Sequence, residues 1–237
     1  MYHLVAGLYA EWTQKPVYNV LFLGLKGAGK TWLLERLRHA HGGGAGPSAR
    51  IASTVGQNVL DVPYRGSVVH IWDLGGSPSM RTLWDQYLRD AHAVVWVLDA
   101  PRWARDAHIA GEAQPAYRAA VGDALVRVVQ DAASRAQPVI VVVAQMDAVD
   151  ADAVRSLGHG DSVQAALVAH VRATVEAQWA QLQERDAVVA TLSPRWDFCA
   201  LSAKTGEGVD DALVRIFEGG HAHVQGARQA PGRVRGT

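Results

Sequence analysis

VLFLGLKGAGKTWLLERL, residues 20–37, decides the fold. Val17 to Leu23 is an apolar run that reads as a buried strand, and Lys30 to Ala40 places Leu33, Leu34 and Leu37 on one face of a helix. Between them, Gly24 to Thr31 fits Gly-x4-Gly-Lys-Ser/Thr, in the strand-to-helix context that this motif requires. Amides of Gly24, Gly27, Ala28 and Gly29 can curl around an anion, and the helix start adds positive potential. Lys30 then reaches the terminal phosphates of a nucleotide, and the Thr31 hydroxyl can ligate magnesium. Lys26 is an extra cation inside the loop, close to the same phosphates.

Outward from this stretch the chain alternates strands and helices. Val59 to Tyr64 and Val68 to Asp73 flank Arg65-Gly66-Ser67 and predict an antiparallel hairpin. Met80, Leu83, Trp84, Tyr87 and Leu88 predict an amphipathic helix. AVVWVLDA at 93–100 and VIVVVA at 139–144 are apolar on both faces, which implies strands covered on both sides. Helices follow around Val121 to Ala132 and from Val163 onward, the second capped by Ser162. Trp196 to Leu201 is a last strand and Val209 to Phe217 a last helix. The expected fold is α/β: a six-stranded, mostly parallel sheet with helices on both faces. Residues 102–115 and 148–162 read as insertions. Residues 219–237, rich in glycine, arginine and histidine, read as a disordered tail. Leu4, Val5, Leu8, Tyr9 and Trp12 form one apolar stripe, so residues 1–15 are expected to be an amphipathic helix before a main domain at 16–218.

Composition narrows the class. Twenty-three basic and 23 acidic residues in 237 give no overall field toward nucleic acid, so no nucleic-acid partner is expected. The single cysteine, Cys199, excludes an internal disulfide and a cysteine-only zinc site, and suits a reducing, cytoplasmic setting. No window approaches the length of a membrane-spanning helix. The histidines show no ligand spacing.

Phosphate binding alone does not identify the machine, but HIWDLGGSPS at 70–79 goes further. Asp73 ends a strand where a phosphate-loop protein places the carboxylate that supports magnesium, and Gly75-Gly76 allows backbone to approach a terminal phosphate. A nucleotide with and without that phosphate would pull differently on this segment, as in a switch.

GLKGAGKT, TVGQN at 54–58, WDLGG at 72–76 and LWDQYL at 83–88 together resemble the Arf and Arf-like small GTPases, from residue 1 to about 217. MYHLVAGLY and TVGQNV are most similar to the Arf-related branch associated with Golgi and trans-Golgi trafficking. The resemblance implies a small-GTPase fold binding GTP or GDP with Mg2+. Gly29 and Lys30 would bind phosphate, Thr31 and Thr54 would ligate the metal, Asp73 would support it, and Gly76 would sense the γ-phosphate. The hairpin of strands at 58–73 would slide in register between states. Trp72 and Tyr87 match aromatic effector-contact positions, with Gln57 in the third. Tyr2 replaces the glycine that Arf proteins myristoylate. In the resembling branch such an N-terminus is acetylated and recruited by an integral membrane partner at the Golgi, here through Tyr2, Leu4, Leu8 and Trp12.

Two motifs depart from the pattern. Ser77 stands where the family has the glutamine that orients the attacking water, and serine is too short for that task. Followed by Pro78, it is better suited to start a helix. The base-reading Asn-Lys-x-Asp is reduced to Ala144-Gln145-Met146-Asp147, in which Asp147 alone can accept from the guanine N1–H and 2-amino group. Ser202-Ala203-Lys204 matches the loop whose Ala203 amide meets the guanine oxygen, with Lys204 along the base.

The sequence therefore predicts a GTP/GDP switch with slow, partner-assisted hydrolysis. It would associate peripherally with Golgi membrane from the cytoplasm and depend on an exchange factor, an activating protein and effectors. The alternative is a pseudo-GTPase module that keeps the fold without cycling. A small-molecule phosphotransferase lacks a recognisable acceptor site.

Overall fold

A computed structural model describes residues 15–42, 54, 56–108, 116–155 and 161–229. The expected helix at 1–15, with Tyr2, Leu4, Leu8 and Trp12, lies outside the described residues apart from Lys15. One sheet organises the rest: β1 (Val17–Leu23), β2 (Gln57–Tyr64), β3 (Ser67–Leu74), β4 (Ala93–Asp99), β5 (Pro138–Ala144) and β6 (Arg195–Ala200). The strand order is β2-β3-β1-β4-β5-β6. Only the β2–β3 pair is antiparallel.

The helices are α1 (Lys30–Gly42), α2 (Trp84–Asp90), α3 (Ala100–His108), α4 (Ala116–Ser134), α5 (Ala151–Arg155), α6 (Val163–Arg185) and α7 (Val209–Gln229). Period-two alternation in the strands feeds two cores. Val94, Trp96 and Leu98 of β4 face the layer holding α2, α4 and α6, while Ala93, Val95 and Val97 face α1 and α7. Leu33, Leu34 and Leu37 of α1 are fully buried on that second side. At about 25 cal/mol per Å² of apolar area, burial on this scale is the main term holding the two layers to the sheet.

Several expectations need correction. The hairpin turn has two residues, not three: Ser67 pairs with Tyr64, and Arg65 and Gly66 both adopt positive φ, as a type I′ turn requires. The segment after Asp73 is a 3-10 turn over Pro78–Leu83 before α2, rather than one continuous helix. Residues 102–108 of the supposed insertion belong to α3, which follows β4 directly and buries Trp103 and Ala104. Part of 148–162 is the short helix α5, whose Val154 is buried. The supposed tail is helical to Gln229: α7 continues through Gly219 and Gly220, which pack beside Ile140, Ala93 and Val20 of the sheet. Ser162 caps α6 as expected, accepting from the Ala165 amide at 3.1 Å. No helix among the described residues is long and apolar enough to cross a membrane.

Candidate functional site

At the carboxyl ends of β1, β3, β4 and β5 lies a cavity of about 570 Å³, lined by Lys26 to Trp32, Thr54, Gly76, Ser77, Gln145, Asp147 and Lys204. This is where a doubly wound sheet places its ligands, and the volume suits a nucleotide-sized molecule. Its floor is the loop from Gly24 to Thr31. Gly24 has φ +143°, and a Cβ there would lie 2.2 Å from the Val97 carbonyl oxygen, so only glycine lets the loop leave the sheet so tightly.

Lys30 begins α1 and is 6% exposed. Its ammonium donates to the carbonyls of Gly24 at 2.9 Å and Leu25 at 3.3 Å. Burial pulls this group down to about 8 although the Asp73 carboxylate opposes the shift. Phosphate oxygens presented to this ammonium would restore the charge compensation that burial removes.

A chain of oxygens stands beside it. Thr31 Oγ1 donates to Asp73 Oδ2 at 2.9 Å, which leaves Thr54 Oγ1 to donate to Thr31 Oγ1 at 2.8 Å. Asp73 is completely buried, and burial raises its pKa, against hydrogen bonds from Thr31 and Asn58 and the charge of Lys30. Its Oδ1 is buried without a partner. Two hydroxyls and one carboxylate, whose Oδ1 is orphaned, are the hard donor set that Mg2+ takes when phosphates supply the remaining ligands. Among the described residues there is no cluster of three or more His, Cys, Asp or Glu side chains, so no all-protein metal cage competes with it.

The glycine pair after Asp73 is explained by contact. A Cβ on Gly76 would lie 2.3 Å from the Gly24 carbonyl oxygen and 2.6 Å from the Lys26 nitrogen. The segment therefore lies directly on the phosphate loop, and Trp84 Nε1 holds it by donating to the Gly75 carbonyl at 3.3 Å. Ser77 occupies the N-cap of the 3-10 turn with Pro78 behind it, but its hydroxyl meets Ser79 Oγ at 3.1 Å instead of capping a backbone amide.

At the far end, Asp147 is held from two sides. Ser202 Oγ donates to its Oδ1 at 2.6 Å, and Lys204 Nζ lies 3.6 Å from its Oδ2. Ser202 also accepts from the Thr205 amide at 3.1 Å, which fixes the loop that carries Ala203. Each carboxylate oxygen keeps a further lone pair for a donor on the ligand. The structure brings Lys30, Thr31, Thr54 and Asp73 together at one end of the cavity and Asp147, Ser202 and Lys204 at the other, while Gly24, Asp73, Ser202 and Ala203 stand behind its lining.

Sequence reasoning missed two participants. Asn58 sits opposite Asp73 in the hairpin and donates to its Oδ2 at 3.2 Å. Counting outward from a two-residue Arg65-Gly66 turn, with Tyr64 opposite Ser67, would have found it. Gln145, treated only as a lost lysine, adopts φ +65° and donates from Nε2 to the Gly27 carbonyl at 3.0 Å, tying β5 to the phosphate loop. Away from the cavity, Trp72 and Tyr87 meet edge to face at 5.3 Å, and the Tyr87 hydroxyl bonds Gln57 Oε1, so the three side chains form one half-exposed cluster.

Known proteins carry the same signature. The model of the ADP-ribosylation factor family matches residues 6–219. ADP-ribosylation factor-like protein 3 of Saccharomyces cerevisiae is 39% identical over 101 residues, which cover 42% of this chain and 51% of that protein. Human ADP-ribosylation factor-related protein 1 is 39% identical over 102 residues, with coverage of 42% and 51%. The chain thus spans about half the length of the curated relatives it matches. Among solved structures, the Arl6 BBS3 small GTPase from Trypanosoma brucei, with bound nucleotide analogue GppNp, superposes with a TM-score of 0.56 at 20% identity, over 87% of this chain and 99% of that one. The mammalian SRP receptor gives 0.57 at 20% identity, over 84% and 99%. The structural likenesses speak for the fold, and the family match over residues 6–219, on a chain whose phosphate loop, paired threonines and Asp73-Gly76 segment converge in one cavity, shows that the protein belongs to the ADP-ribosylation factor family.

Proposed function

We propose that this chain is a GTP/GDP switch that hydrolyses GTP slowly and depends on a partner to do so faster. The observation that carries the reading is one cavity with Lys30 and the Thr31–Thr54–Asp73 oxygens at one end and the Asp147 carboxylate, held by Ser202 and Lys204, at the other. Gly24 to Thr31 cradle the β-phosphate, and Gly76 donates its amide where a γ-phosphate would sit. Thr31 and Thr54 would hold Mg2+, with Asp73 behind them. Bound there, the ion would neutralise charge on the phosphates. Asp147 accepts from the guanine N1–H and 2-amino group, a donor pair absent from adenine, while the Ala203 amide faces the guanine oxygen and Lys204 packs along the base.

Ser77 gives no side chain long enough to orient water, so the chain's own contribution to hydrolysis is positioning and charge. This also keeps the pseudo-GTPase reading alive, since the Ser77 hydroxyl is turned to Ser79. Residues 1–15 would dock on an integral membrane partner and place the protein on the cytoplasmic face of Golgi or trans-Golgi membrane. There it would act in vesicle traffic with an exchange factor, an activating protein and effectors that contact Trp72 and Tyr87.

The test is to identify the nucleotide that co-purifies with the full chain and to follow phosphate release from Mg-GTP in single turnover. Ser77→Gln is expected to accelerate release by at least tenfold, within the range that positioned catalytic groups contribute. Guanine nucleotide bound with no release from either version would establish the non-cycling alternative.

A further inference from the structure

We propose that Lys26 and Arg102 form a second, outer pair of cations on the phosphate loop, which reads the added charge of a nucleoside triphosphate and favours it over the diphosphate without a partner. The inference rests on the nucleotide reading above and goes beyond it, by assigning discrimination between the two nucleotides to residues outside the Gly-x4-Gly-Lys-Thr signature.

Lys26 stands between Leu25 and the small residues Gly27, Ala28 and Gly29 of the loop. Its backbone nitrogen would lie 2.6 Å from a Cβ on Gly76, so the residue that fixes the switch segment against the loop is also the one that carries the charge. The Lys26 side chain is exposed at the cavity and makes no ion pair among the described residues.

Arg102 reaches the same loop from the first turn of α3. Its amide donates to Asp99 Oδ1 at 2.9 Å, its Nε faces Asp99 Oδ2 at 3.3 Å, and its Cζ stands 5.8 Å from the Tyr117 ring centroid. Asp99 is itself only 6% exposed, so the anchor is firm. With Nε engaged by Asp99, Nη2 lies 3.9 Å from where a Gly27 Cβ would be, which puts the guanidinium beside the loop. The planar group is oriented before a ligand arrives.

Lys30 and the loop amides already compensate a diphosphate. A γ-phosphate adds negative charge on the side where Gly76 and Lys26 meet; the Lys26 ammonium, without an ion pair among the described residues, lines that side, Arg102 stands by the neighbouring Gly27, and the charge of Arg81 reaches Lys30 from the segment after Gly76. Phosphoryl-transfer enzymes stabilise this charge with a cationic side chain supplied in cis or in trans. With Ser77 unable to orient water, charge is what this chain can itself contribute.

Fluorescence titration of the full-length protein with labelled GDP and GTPγS in Mg2+ tests the proposal. The GTPγS-over-GDP affinity ratio is expected to fall about tenfold in Lys26→Ala and about threefold in Arg102→Ala, effects suited to partly exposed charges. Lys26→Arg should keep most of the ratio. Arg127→Ala, the same charge change ten residues beyond Tyr117 and about 15 Å along α4, should keep all of it. Added salt should shrink the differences. A ratio within twofold of the parent in both Lys26→Ala and Lys26→Glu, with GDP still bound, overturns the proposal and leaves the switch reading intact. Failure of the parent protein to bind GDP at all overturns both.

Discussion

The two ends of the cavity, proposed for the phosphates and for the base, are built differently. At the phosphate end, backbone amides, a buried lysine and three linked oxygens from α1, Thr54 and β3 fix one another, and a substitution at any of them disturbs the rest. At the other end, Asp147 is supported by Ser202 and by an exposed Lys204. Gln145, two residues before it, bonds the Gly27 carbonyl and so ties that end to the glycine loop. A site specified by backbone tolerates little change. One specified by separate side-chain contacts can lose some and keep its principal discriminator.

That contrast can be broken experimentally. The largest effect is expected at Lys30→Ala, which removes a charge-assisted contact and leaves the Gly24 and Leu25 carbonyls without their donor. Affinity for GDP and GTP alike should fall by about 10²- to 10³-fold in equilibrium titration. If the loss were only a few-fold, the phosphate end would not be the anchor.

Asp147→Ala should be next. Two hydrogen bonds to a charged acceptor are lost, so guanine nucleotide affinity should drop by about a hundredfold while ATP affinity scarcely changes, in competition assays. Unchanged preference for guanine would mean that the Ala203 loop reads the base alone.

The smallest effect should come from Gln145→Ala, a single neutral hydrogen bond worth about 1 kcal/mol, or roughly fivefold in affinity. It should appear as faster release of GDP in stopped-flow exchange, with base preference intact. A shift in base preference would place Gln145 on the base instead of the loop.

Much of the fold was legible because the signals were strong. Val17 to Leu23, the glycine loop and the Leu33-Leu34-Leu37 face form a strand–turn–helix that few other sequences specify, and the two fully apolar strands can be satisfied only inside a covered sheet. Segments with weak periodicity were misread. Residues 102–108 carry charges that suggested a loop, but Trp103 and Ala104 find a core only when α4 and α6 are in place. Gly219 and Gly220 suggested a tail because glycine is a poor helix former, yet close packing on the sheet overrides that propensity.

The sequence by itself determined the glycine loop, the carboxylate at the end of β3 and the parallel sheet, because backbone geometry and burial periodicity are local properties that a short stretch encodes. Only the tertiary structure decided what meets whom. It put Asn58 across from Asp73 through the two-residue turn, and it brought Gln145 and Arg102 to the loop from strands and helices more than seventy residues away. Such contacts depend on register and chain reversal, and no local pattern of side chains encodes them.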